Sequence, residues 1–157
     1  MSIQPFQFAG AVAVVTGAAG GMGEHLARGL AERGSTLLLV DRDADGLEAI
    51  ATSIRSTYPG SSVTTFVADL ADRDATEALA ADLLAATDRV DLLINNAGVG
   101  LGGKFDEVSL EDWQWCMHLN LWGVIHGCHY FVPKFKQQGS GAIINVASAA
   151  GYTQHLK

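Results

Sequence analysis

Apolar residues along this chain of 157 residues fall into short continuous runs separated by stretches in which they return every three or four positions. The runs at 12–15, 35–40, 62–68, 91–94 and 141–146 are rich in Val, Ile and Leu and predict strands. The intervening periodicity, as in Leu26, Ala27, Leu30 and Ala31, predicts helices after the first strand, over 44–57 and over 72–87. Ser109, with Asp112 three residues on, reads as the cap of a further, long helix. Strands that are apolar throughout, rather than on alternate positions, are buried on both faces. Their alternation with helices therefore predicts an α/β fold, a doubly wound parallel sheet covered on both sides.

The long helix carries two stripes. Leu110, Trp113, Met117, Leu121, Val124, Cys128, Val132 and Phe135 follow one buried face at i, i+3, i+4 spacing. Trp115, Leu119, Trp122 and His126 form a shorter stripe opposite, too apolar for a solvated surface. Either another subunit or another segment of the same monomer is expected to cover it. Pro133 is expected to bend the last turns.

A hydrophobic content of 48% over this length suits one globular domain spanning residues 1–157 and excludes disorder. The net charge of −7, with no Lys/Arg cluster, argues against a nucleic-acid partner. Cys116 and Cys128 lie in one helical pattern, which fits reduced, buried thiols rather than a disulfide or a metal site. With no apolar run of membrane-spanning length and no basic, then apolar, leader, a cytoplasmic protein without a membrane partner is expected.

The chemistry begins at the end of the first strand. Gly17, Ala18, Ala19, Gly20, Gly21, Met22 and Gly23 join that strand directly to a helix. Glycines there let the chain turn sharply and let a ligand approach the backbone, while the unpaired N–H groups of the helix start attract a phosphate. A tight packing turn is the plain alternative, and the strand–turn–helix context favours a dinucleotide pyrophosphate. Asp41, at the end of the second strand, can accept the hydroxyls of an adenosine ribose and would repel a 2′-phosphate, so NAD is expected over NADP. Arg42 beside it works the other way. Asp69 and Leu70 close the third strand, where Asp69 can accept a hydrogen bond from an adenine amino group. Asn96, Ala97 and Gly98 end the fourth strand, with an amide able to bond nearby backbone and small residues that leave room for a flat cofactor.

Taken together, Thr16-Gly17 through Gly21 and Gly23, Asp69 and Asn96-Ala97-Gly98 resemble the classical branch of the short-chain dehydrogenase/reductase family. Asn120 within His118–Trp122, and Ser148 after Ile144-Asn145-Val146-Ala147, extend the match. The resemblance implies a Rossmann-like sheet of order 3-2-1-4-5. It also implies hydride transfer between NAD, less readily NADP, and a small-molecule alcohol or carbonyl substrate, in a homo-oligomer. Ser148 would hydrogen-bond the substrate oxygen and Asn120 would hold a water in a proton relay.

The same resemblance calls for a tyrosine a dozen or so residues beyond Ser148 and a lysine four further on. Tyr152 lies only four positions past Ser148 and five before Lys157, so neither fits, and His155 is no better a base. The domain is thus expected to be incomplete at its C-terminus and this chain inactive, with residues 142–147 forming an apolar edge strand open to aggregation. The alternative is a catalytically dead dinucleotide-binding module that acts through a protein partner. Substrate identity is not legible.

Overall fold

The computed structural model describes residues 5–148. Five strands, β1 Val12–Thr16, β2 Thr36–Asp41, β3 Val63–Val67, β4 Leu92–Asn95 and β5 Ala142–Asn145, form one parallel sheet of order β3-β2-β1-β4-β5. The order is the predicted one. In β1, Val14 sits level with Leu38 of β2 on one side and Leu93 of β4 on the other. Helix α1 (Gly21–Glu32) follows β1, α2 (Ala44–Thr57) follows β2, and α3 (Arg73–Ala85) follows β3. Between β4 and β5 run α4 (Leu110–Met117), a π-helical segment His118–Trp122, and α5 (Gly123–Gln138).

Side chains on successive strand residues point to opposite faces, so the sheet divides the apolar core in two. Ala13, Val15, Leu37 and Leu39 pack against Ala27 and Leu30 of α1 and Leu47 and Ile54 of α2. Val12, Val14, Leu38 and Val40 pack on the other face against Leu79 and Leu83 of α3 and Phe131 of α5. Local chemistry sets where helices begin. The Asp43, Asp72 and Ser109 side chains accept the N–H of Gly46, Ala75 and Asp112, each satisfying a donor that the first helical turn leaves unpaired.

Asp91 fastens the opposite end of the sheet. Its Oδ2 accepts the Val12 N–H at 2.9 Å, and its carboxylate pairs with the Arg89 guanidinium, which raises the arginine pKa further above its ordinary value. β5 is an edge strand among the described residues, as expected, and Ile144 on it is 49% exposed.

The long helix departs from the periodicity argument. Leu110, Met117 and Leu121, assigned to a buried stripe, are exposed, and Trp113, Val124, Cys128, Val132 and Phe135 are half-buried. Leu119, assigned to the opposite stripe, is buried instead, together with Phe131. No residue of α4 is buried, and the wider turn of the π-helical segment shifts the phase of α5 relative to α4, so no single 3.6-residue stripe runs the whole length. Gly127 holds the inner face of α5, where a Cβ would come within 3.1 Å of Asn95 Cγ and would overlap the side-chain oxygen. A hydrophobicity pattern does not register a glycine as a core position. Cys116 and Cys128 are free and half-buried rather than buried. Pro133 sits inside α5, which continues past it to Gln138.

Candidate functional site

β1 is the strand at which the chain reverses direction across the sheet: β2 and β3 build outward on one side, β4 and β5 on the other. The loops leaving β1 and β4 therefore diverge and open a crevice at the carboxyl ends of the strands. A cavity of about 510 Å³ occupies it. Gly17, Ala19, Gly20, Gly21 and Met22 line its floor, Asp41 and Arg42 one end, Asp69 and Leu70 the adjoining wall, and Asn96, Ala97 and Gly98 the far side. Residues from four loops, spread over some eighty positions of sequence, thus meet in one place.

Gly23 is absent from the lining and serves from behind. It is buried in α1, and a Cβ there would overlap the Gly17 carbonyl, so its lack of a side chain lets the helix start sit against the loop. Gly17 has φ +65°, and a Cβ on it would lie 2.8 Å from Ala97 Cα. Helix α1 has Gly20 as its N-cap and, among the described residues, no side-chain cap. Gly20, Gly21 and Met22 at its start line the cleft, and nothing lies within 4 Å of where a Cβ on Gly20 or Gly21 would stand. Open donors, space at the backbone and the positive end of a helix suit a pyrophosphate.

Asp41 is oriented by two backbone donors: the Ala19 N–H reaches its Oδ2 at 2.8 Å and the Asp43 N–H its Oδ1 at 3.1 Å. Asp69 accepts the Ala71 N–H at 2.9 Å. Thr16, read in the sequence only as part of the loop motif, proves to be a junction. Its hydroxyl donates to the Ile94 carbonyl and accepts the N–H groups of Asn96 and Ala97, both at 3.0 Å. The Asn96 amide donates back to the Thr16 and Gly17 carbonyls at 2.9 and 3.2 Å.

Asn120 stands in the π-helical segment. Its Oδ1 accepts the Val99 N–H and its Nδ2 donates to the Val99 carbonyl, each at 2.8 Å, so the amide is engaged at both ends in holding the loop after Gly98. Ser148 is exposed and follows the carboxyl end of β5, on the same side of the sheet as the cleft, but does not line it. Tyr152, His155 and Lys157 lie outside the described residues. Sequence reasoning missed Asp43, Ala68, Val99 and Leu119, which also line the cavity. For Asp43 and Val99 the signal was available, since each flanks a motif at a strand end.

Among the described residues, no group of three or more His, Cys, Asp or Glu could hold a metal ion, and no helix is long and apolar enough to cross a membrane.

The family profile of short chain dehydrogenases matches residues 11–156. The chain belongs to the short-chain dehydrogenase/reductase family, whose members are dehydrogenases and oxidoreductases. It is 36% identical over 148 residues to D-threitol dehydrogenase of Mycolicibacterium smegmatis, covering 92% of this chain and 55% of that protein. A short-chain dehydrogenase/reductase from Burkholderia phymatum, solved in complex with NAD, superposes with a TM-score of 0.89 at 38% identity, over 96% of this chain and 53% of the other. A metagenomic short-chain oxidoreductase in complex with NADP gives 0.85 at 37%, over 91% and 64%. The chain spans about half the length of the curated relatives it matches.

Proposed function

We propose that the cleft binds NAD in preference to NADP, and that the protein to which it belongs transfers hydride between the nicotinamide ring and the carbon of a small alcohol or carbonyl substrate. The observation that carries the cofactor choice is the fixed Asp41 carboxylate. With two N–H groups holding its orientation, it stands ready to accept ribose hydroxyls. Asp43 and Asp69 line the same cleft, and Arg42 is the one basic residue in that lining among the described residues, so a 2′-phosphate would meet net negative charge there.

NAD supplies the hydride acceptor when bound. The chain supplies position. The Gly20 end of α1 takes the pyrophosphate, Asp41 the ribose and Asp69 the adenine edge, and the small residues Ala97 and Gly98 leave space beside the β4 loop. Asn120 fixes Val99 against that loop. Ser148 is assigned to hydrogen-bond the substrate oxygen, on its position after β5. Self-association belongs to the same reading, since Met117, Leu121, Trp122 and Ile125 are each more than 40% exposed along one helical unit.

Titration with NADH and with NADPH, followed by nicotinamide fluorescence, tests the cofactor choice. NADH is expected to bind at least about tenfold more tightly, the equivalent of about 1.4 kcal/mol. Equal affinity, a reversed preference, or no binding of either would overturn it.

A further inference from the structure

Arg42 is the residue that most directly opposes an NAD preference, because a guanidinium beside the ribose pocket is a natural partner for a 2′-phosphate. The structure shows where that guanidinium goes. Its Cζ lies 5.7 Å from the centre of the Trp115 indole, within the range of a cation–π contact. Three carboxylates, Asp41, Asp43 and Asp69, line the same cleft, yet Arg42 forms no ion pair or hydrogen bond among the described residues. The contact it does make is with the indole.

The placement of the two residues matters. Arg42 lines the cavity, whereas Trp115, half-buried on α4 one helical turn before the cleft-lining Leu119, does not. A guanidinium held at an aromatic ring has fewer rotamers open to it and keeps a planar surface free for a ligand. Such a surface suits the flat stacking of a base. A guanidinium so held would serve as an adenine platform rather than a phosphate clamp, and the residue that holds it comes from α4, more than seventy positions away in sequence.

We propose that Trp115 is a specificity-determining residue, which holds Arg42 against the adenine end of the cleft and away from the ribose 2′ position. This rests on the cleft being a dinucleotide site that favours NAD. With Trp115 gone, the guanidinium regains its rotamers and can swing to the ribose, where a 2′-phosphate would pair with it.

The test uses the full chain and two probes lacking the nicotinamide, ADP-ribose and 2′-phospho-ADP-ribose, titrated by calorimetry. In the Trp115→Ala variant the Kd for ADP-ribose should rise about threefold and that for the phosphorylated probe fall about threefold, moving the ratio by about tenfold. Trp115→Phe, which keeps an aromatic face and preserves packing should the alanine variant fail to fold, should move the ratio in the same direction by less. In an Arg42→Ala background either change at Trp115 should leave the ratio where it was. Wild-type preference for ADP-ribose together with an unmoved ratio in the Trp115 variants, or a ratio that moves equally without Arg42, would overturn this inference alone. Wild-type preference for the phosphorylated probe, or binding of neither, would overturn the NAD reading and this with it.

Discussion

The Thr16 hydroxyl accepts the N–H groups of Asn96 and Ala97 while the Asn96 amide returns to the Thr16 carbonyl, so the glycine loop and the Asn-Ala-Gly loop are one hydrogen-bonded unit. Thr16 is 8% exposed, and its two N–H partners are half-buried at the edge of the cleft. Thr16→Val keeps the volume and removes the acceptor, leaving two N–H groups unpaired. It should lower stability by about 2–4 kcal/mol and weaken NADH binding with it. Thr16→Ser should retain most of both. Urea melts and NADH titrations of the two variants check this.

Gly23→Ala puts a methyl group against the Gly17 carbonyl, and neither piece of backbone can yield without opening the loop. An overpacking cost of about 1–3 kcal/mol is expected, with a larger proportional loss in NADH affinity than in stability. Gly20→Ala, where a Cβ meets nothing within 4 Å, should leave the melting temperature close to that of the parent. Equal thermal shifts in the two variants would contradict the assignment.

Asp91→Ala removes the acceptor of the buried Val12 N–H and should destabilise by about 1–3 kcal/mol, mostly from that orphaned donor. The Arg89 contact adds little, because the arginine is 57% exposed. Asp91→Asn keeps an acceptor oxygen and should recover most of the loss. Chemical denaturation of the pair, with Arg89→Ala as a third variant, separates the two contributions.

His126 Nδ1 is buried and has no hydrogen-bond partner among the described residues. Burial first, then the charges of Arg73, His129 and His118, hold its pKa below the ordinary 6.5. The unfolded chain therefore binds a proton here that the folded protein refuses. Stability from this position is full above pH 6.5 and is lost as pH falls from 6.5 toward the lowered pKa. His126→Leu should flatten that part of the stability profile, read from urea melts on either side of pH 6.5.

Features governed by neighbours in sequence were legible where they were read: the Ser109 cap acts within one helical turn, and the strand–glycine–helix passage around Gly17 and Gly23 is likewise local. The Asp43 and Asp72 caps are equally local but were not read as caps. Twelve of the thirteen residues expected to hold a cofactor line one cavity because strand ends bring their loops together, and the strand runs were plain. Phase was not. α4 buries no residue, one wide turn at His118–Trp122 shifts the phase of α5, and a glycine at 127 marks the inner face by lacking what a hydrophobicity pattern counts. Contacts set by the fold alone, such as Arg42 on Trp115 or Asn120 on Val99, join residues whose types do not name each other.

The clamp between Thr16 and Asn96 spans 80 residues of chain. A ribosome working at about 5–20 residues per second needs about 4–16 s to pass from one to the other. During that time the nascent chain carries its glycine loop with nothing to brace it, however early β1 pairs with β2. The dinucleotide cleft is consequently a late product of folding. Its far side, Asn96 to Gly98, is set only when β4 pairs beside β1.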